Sequence, residues 1–233
     1  MGWAARSKVA AASRASEDAI LLARRLAGLH VAVDVQHIYR PAKPADRGAE
    51  FLLATGHKIT EAEIATSYAQ GLAGWLAARG ASVLTNNPAT ATMVGPYSRR
   101  NLEAAKASCD LYLACHVNAG RGSYATVEYM AKSASRPAAE AIALALLQDV
   151  PEIRSHRLVQ LAHGERGAVC IEAFTVAPAL LLEPFFGDYA PAQALLAPAR
   201  LKAVGETIGK GIATWWLGKR KPAPQDAPGS PTS

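Results

Sequence analysis

A single α/β domain is predicted, with a central mixed, mostly parallel sheet flanked by helices on both faces. Two observations carry that expectation. Three short runs, His30–Val35, Leu111–Cys115 and Leu180–Glu183, are apolar with little alternation, as strands covered on both faces are. Longer segments with apolar residues at helical spacing lie between and beyond them, so strands and helices alternate along the chain. At 233 residues, half of them hydrophobic, the chain suits one substantial core better than two.

Residues 1–28 read as an Ala-rich helical extension, with Ser16-Glu-Asp as a cap and Ile20, Leu22, Ala23 and Leu26 in its apolar stripe. The strand His30–Val35 follows. Ile38–Ile59, punctuated by Pro41, Pro44, Gly48 and Gly56, reads as a long loop. Thr60 caps a helix whose Ile64, Tyr68, Leu72, Trp75 and Leu76 recur at helical spacing, and Arg79-Gly80 closes it. A short strand at Ala81–Leu84 and a helix at Arg99–Ser108 lead to the strand Leu111–Cys115. Gly120, Gly122 and Ser123 then turn the chain into a strand at Tyr124–Met130. A helix at Pro137–Leu147, a short strand near Val169–Ala173 and the strand Leu180–Glu183 come next. Pro198–Leu217 closes the domain as a helix bearing Leu201, Val204, Ile208, Ile212, Trp215 and Trp216. The folded domain is thus placed at 29–218, and the Pro/Ser-rich tail 219–233 is expected to be disordered.

The formal charge of +6 favours anionic partners, and many basic residues lie near the two ends. They are not interleaved with aromatics, so no nucleic-acid surface is expected. The three cysteines, Cys109, Cys115 and Cys170, make no disulfide framework and read as buried thiols. No segment is apolar enough over a sufficient length to span a membrane, and the basic start lacks the apolar core of a secretory signal. The expectation is therefore synthesis in the cytoplasm without export by that route.

His37 and His116 each end an apolar run, so two strands deliver an imidazole to a loop mouth. Catalytic zinc sites use three protein ligands and keep a fourth position open, and they also need a non-ligand group to carry protons. Glu61 and Glu63 open the helix after the long loop, and either offers a third ligand. Glu183 closes the run Ala179-Leu-Leu-Leu-Glu183, where an unpaired carboxylate is costly and its pKa should rise, which suits a general acid/base.

Five segments, in order, resemble the zinc-dependent N-acetylmuramoyl-L-alanine amidases, the family of bacterial autolysins and many phage endolysins. That family's Asp-x-Gly-His-Gly segment is matched by Asp34-Val-Gln-His37-Ile, and its helix-opening Glu by Glu61, with Arg79-Gly80 and Ser82-Val-Leu-Thr85 following. Its Arg…Ala-Asp-Leu-Phe-x-Ser-x-His-x-Asn-Ala is matched by Arg100…Cys109-Asp-Leu-Tyr-Leu-Ala-Cys-His-Val-Asn-Ala119. A Gly-x-Glu-x-Tyr strand is echoed by Thr126-Val-Glu-Tyr129, and Pro-Ala-x-Leu-x-Glu-x-Gly-Phe by Pro178-Ala-Leu-Leu-Leu-Glu-Pro-Phe-Phe186. The likeness spans about residues 30–217. It implies His37, Glu61 and His116 as ligands of one Zn2+ and Glu183 as the catalytic residue. The flanking glycines of the first histidine are replaced by Gln36 and Ile38, so that turn must take another backbone course.

The resemblance implies hydrolysis of the amide joining N-acetylmuramic acid to L-alanine in bacterial peptidoglycan. Asn118, Arg100 and Arg40 are candidates for orienting substrate, with a structural role the first expectation for Asn118 and Arg100, and the basic ends are candidates for holding anionic wall polymers. With no export signal expected, a phage-type lysin is the favoured setting. The rival readings are a zinc carboxypeptidase or related amidohydrolase, and a non-catalytic wall-binding module.

Overall fold

The computed structural model describes residues 25–38, 47–53, 55–86, 93, 95–131 and 134–219. The expected N-terminal helix lies outside the described residues up to residue 24, as do Arg40 and the tail beyond Lys219. Eight strands are described: β1 (His30–Val35), β2 (Glu50–Leu52), β3 (Lys58–Thr60), β4 (Ser82–Thr85), β5 (Leu111–Cys115), β6 (Tyr124–Met130), β7 (Ser155–Leu161) and β8 (Ala179–Glu183). The four α-helices are α1 (Glu61–Ala77), α2 (Tyr97–Lys106), α3 (Ser135–Asp149) and α4 (Pro198–Lys219).

Six strands form one sheet in the order β4-β1-β5-β8-β6-β7. Every neighbouring pair is parallel except β6 with β8, where Thr126 faces Glu183 and Glu128 faces Leu181. The sheet is therefore mixed and mostly parallel. Because side chains alternate across a strand, β1 and β5 serve two cores at once. Val31, Val33, Val35, Leu111, Leu113 and Cys115 face α1, α3 and α4. Ala32, Tyr112 and Ala114 face the other side, where Ala104 of α2 joins Ala168, Ile171 and Phe174. Both faces are covered, and this explains the near-continuous apolar reading of the central strands.

Helix α1 begins with a capping box. The Thr60 hydroxyl accepts the Glu63 N–H, and the Glu63 carboxylate accepts the Thr60 N–H at 2.8 Å. Its buried stripe, Ile64, Tyr68, Leu72 and Leu76, packs on the sheet and on α4. The contact with α4 is unusually close. A Cβ at Gly205 would sit 1.9 Å from the Tyr68 carbonyl oxygen, and one at Gly71 would sit 2.5 Å from the Lys202 carbonyl oxygen. Backbone cannot yield there as a flexible side chain would. Gly205→Ala therefore loses about 1–3 kcal/mol or more to overpacking, although alanine gains about 1 kcal/mol of helix propensity. Urea unfolding checks this: the midpoint should fall, and an unchanged or higher midpoint would refute the close packing.

Three differences from the sequence reading stand out. The stretch expected as a loop over 38–59 contains an antiparallel hairpin of β2 and β3, with Phe51 buried beneath it. Strand β7 was not expected, because its edge position leaves a polar, half-exposed pattern with Arg157 in mid-strand. The strand expected near Val169–Ala173 is a short 3-10 helix, Ala168–Cys170, followed by turns. Gly167 enters it at φ 92°, and successive bonds from Cys170, Ile171 and Phe174 to the third residue back curl the chain, so its apolar side chains cap the second core without joining the sheet.

Candidate metal centre

Strands β1, β5 and β8 run parallel, so the residues at or just beyond their C-terminal ends gather at one edge, where open α/β sheets place their ligand sites. His37 follows β1, His116 follows β5, and Glu183 ends β8. Glu61, the first residue of α1, completes the group. One ligand atom from each of His37, Glu61 and His116 lies within 4.8 Å of the others. The His116 Nδ1 is 2.9 Å and the His37 Nε2 3.5 Å from the same carboxylate oxygen, Oε1 of Glu61. The two rings meet edge to face, with centroids 5.1 Å apart.

The carboxylate of Glu61 is held from several sides. The Ala49 N–H donates to Oε2 at 3.0 Å, and the Val117 N–H donates to Oε1 at 3.2 Å. Gly48 gives it room, since a Cβ there would lie 2.3 Å from Oε2. Tyr68, seven residues and thus two helical turns further along α1, donates its hydroxyl to the His116 carbonyl at 2.8 Å. One helix face therefore fixes both the third ligand candidate and the backbone of the second histidine. Glu63 is spent on the capping box, and of the two glutamates only Glu61 joins the histidines.

Burial alone would raise the Glu61 carboxyl, but the His116 ring, the Ala49 N–H and His37 outweigh it and hold it below its ordinary range. Burial lowers the pKa of His116 despite Glu61, which keeps its imidazole neutral and free to offer a lone pair. The His116 Nε2 is buried without a hydrogen-bond partner among the described residues. Two imidazole nitrogens and one carboxylate oxygen, anchored from behind, match the donor set of an open metal site, and these residues fit a divalent ion.

The turn carrying His37 departs from a glycine-flanked course, and the structure shows how. His37 itself takes φ 63°, a left-handed conformation that non-glycine residues rarely adopt. Fully buried Gln36 pins the turn: its amide donates to Asp34 Oδ2 at 2.6 Å and accepts from Arg100 at 3.3 Å. Arg100 also pairs with Asp34 Oδ1 at 3.0 Å, and the Tyr112 hydroxyl hydrogen-bonds the same carboxylate. Burial pushes the Asp34 carboxyl up to about 6 even though Arg100, Tyr112 and Gln36 pull it down. Arg100 is 1% exposed and committed to this ion pair. These contacts support the structural role expected for Arg100, which braces the turn beneath His37.

A cleft of about 710 Å³ opens over the three donors and is also lined by Asn118, Glu128, Arg166 and Glu183. Burial, then Glu128 and Glu61, push the Glu183 carboxyl up to about 7, against the opposing pull of Arg166 and Asn118. Asn118 donates its side-chain amide to Glu183 Oε2. Asn118 is itself fixed by its backbone, whose N–H donates to the Phe185 carbonyl at 3.1 Å and whose carbonyl accepts the Gly187 N–H at 3.0 Å. Glu128 and Arg166 were not singled out as site residues from sequence. Glu128 lay in a strand segment already noticed, Thr126-Val-Glu-Tyr129, but Arg166 sits in an ordinary Gly-Glu-Arg-Gly turn with no signal of its own.

The sequence profile of the N-acetylmuramoyl-L-alanine amidases matches residues 31–214. The chain belongs to this family. Its substrate as such an amidase is peptidoglycan. No curated protein sequence matches the chain. Among solved structures, the N-acetylmuramoyl-L-alanine amidase AmiC2 of Nostoc punctiforme is similar with a TM-score of 0.62 at 19% identity, over 82% of this chain and 99% of that one. Cwp6 from Clostridium difficile is similar with a TM-score of 0.62 at 24% identity, over 80% of this chain but only 29% of that longer one. The catalytic domain of the amidase CwlV from Bacillus (Paenibacillus) polymyxa var. colistinus follows at 0.58 and 17% identity, over 82% and 97% of the two chains. At these identities the likeness is one of fold, and it covers the amidase domain described above. No helix among the described residues is long and apolar enough to cross a membrane.

Proposed function

We propose that His37, Glu61 and His116 hold one zinc ion and that Glu183 carries the proton in hydrolysis of the amide between N-acetylmuramic acid and L-alanine. The observation that carries this reading is the convergence of the three donor atoms within 4.8 Å at the floor of a cleft that Glu183 also lines. Two imidazoles and a carboxylate favour zinc over the hard cations that prefer all-oxygen cages. Held there, the ion supplies Lewis acidity toward a water molecule and the amide carbonyl.

The protein's own groups do the rest. Glu183 takes a proton from the attacking water through a carboxylate oxygen and returns it to the departing nitrogen of L-alanine, so that an amine leaves and a carboxylate remains. Its carboxyl, pushed up to about 7, is matched to both halves of that task near neutrality. The Asn118 amide fixes which oxygen faces the cleft. Tyr68 and the Ala49 and Val117 N–H groups keep Glu61 and His116 in place without touching substrate. The net charge of +6 supports retention on anionic wall polymers.

Mass spectrometry of peptidoglycan digested by the zinc-loaded chain tests the reading. The expected products are a free lactyl carboxylate on muramic acid and a new amino terminus at L-alanine. Release of a terminal amino acid instead would move the assignment to a carboxypeptidase, and intact peptidoglycan would leave a binding module.

A further inference from the structure

The cleft holds three carboxylates, from Glu61, Glu128 and Glu183, against a single guanidinium among the described residues, that of Arg166. Arg166 is exposed, and its charge lowers the pKa values of both Glu128 and Glu183. Among the described residues it closes no ion pair within 4.0 Å, whereas Arg100 and Arg200 each do. It does not hang from a loose loop. The Glu165 carboxylate accepts the Ala162 N–H at 2.8 Å, and the Ala168 N–H donates to the Glu165 carbonyl at 3.0 Å. Gly167, at φ 92°, brings the backbone down onto Glu128, and a Cβ there would lie 2.7 Å from Glu128 Oε2. From beneath, Asn101 donates to the Cys170 carbonyl at 3.0 Å. Val169, 51% exposed, lines the same wall beside Arg166.

An exposed cation on a hydrogen-bonded turn at the lip of an otherwise acidic cleft is suited to recognise an anion, and a guanidinium matches a carboxylate with two parallel hydrogen bonds. The scissile amide must lie over the donor triad, so whatever follows L-alanine extends along the cleft wall. The residue after L-alanine in a stem peptide carries a carboxyl group that is either free or converted to a carboxamide. We propose that Arg166 binds that free carboxylate, making this amidase selective for stem peptides whose second residue is acidic, with Val169 packing on the neighbouring alanine methyl. The proposal rests on the amidase reading above. Glu128 lines the same cleft and lies against Gly167, next to the guanidinium.

The test uses the zinc-loaded full chain and two muramyl dipeptides, one ending in D-glutamate and the other in D-isoglutamine, which differ only in that carboxylate. The wild-type kcat/KM should be about 10-fold higher for the acid. Arg166→Ala should bring the two kcat/KM values together, and Arg166→Lys should keep part of the preference. In parallel, calorimetric titration of the wild-type chain with L-alanyl-D-glutamate and L-alanyl-D-isoglutamine reads the subsite without turnover, again with about 10-fold tighter binding of the acid. Equal dissociation constants for the two peptides, or a preference that survives in Arg166→Ala, would overturn the subsite. Failure to open either muramyl dipeptide, with the peptide preference intact, would overturn the amidase reading and leave the anion subsite standing.

Discussion

Glu183→Gln lowers turnover by about 10²- to 10⁴-fold and leaves zinc affinity nearly unchanged. Glutamine keeps the shape of the side chain, and its carbonyl oxygen can still accept the bond from the Asn118 amide. What it loses is the capacity to take and return a proton. In the wild type the acid limb of the pH–rate profile follows protonation of Glu183, which the metal-free protein places at about 7 and a bound cation draws lower. That limb should vanish in the variant. The same substitution has a stability signature in the metal-free chain. The folded-state pKa is raised, so the native state favours the protonated form. The stabilisation of wild type from this group is complete below about pH 4.5 and is lost as the pH rises through about 7. The variant, which never ionises, should be more stable than wild type at pH 8 by on the order of 2 kcal/mol, allowing for partial solvent access. At pH 4 the advantage should disappear. A variant that keeps more than about a tenth of wild-type turnover removes Glu183 from the chemistry.

Glu61→Gln weakens zinc binding by more than about 100-fold, measured by competition with a chromophoric chelator. The amide is nearly isosteric, and its oxygen can still receive the Ala49 or Val117 N–H, so the chain should fold. It brings no negative charge to offset the cation, and one of its two terminal atoms is now a donor aimed at groups that need an acceptor. The informative control is two residues away. Glu63→Gln should leave zinc affinity unchanged, and because glutamine still accepts the Thr60 N–H in the capping box, it should cost at most about 0.3–1 kcal/mol of stability through the charge lost at the helix N-terminus. If Glu63→Gln released the metal and Glu61→Gln did not, the donor set proposed for the centre would be wrong.

This pair also shows how far the sequence could be read. Helix α1 was legible because its apolar stripe and Thr60 cap are local signals, and the central strands because burial on both faces leaves them continuously apolar. The choice between Glu61 and Glu63 depends on which side chain the cap consumes. That is a matter of rotamers at one helical turn, and composition cannot express it. Residues 169–173 looked like a strand because buried apolar runs look alike whether hydrogen bonds go to a neighbouring strand or back along the chain. A structural role was expected for Arg100, but its partner Asp34 carries no local signal in the sequence. Arg166 and Glu128 meet only through folding: one belongs to a strand, the other to a turn after the next strand, and neither carries a local signature.

The reversed direction of β6 against β8 also limits which length changes the gene can accept. Glu128 and Glu183 reach the same cleft because Glu128 pairs with Leu181 and Thr126 with Glu183, two rungs apart on one face. A single-residue insertion or deletion in mid-strand would shift that pairing by one and turn Glu128 into the layer of α3 and α4. Codon-scale indels in β6 and β8 should therefore be purged. The exposed residues 55–57, between β2 and β3, are expected to tolerate changes of length.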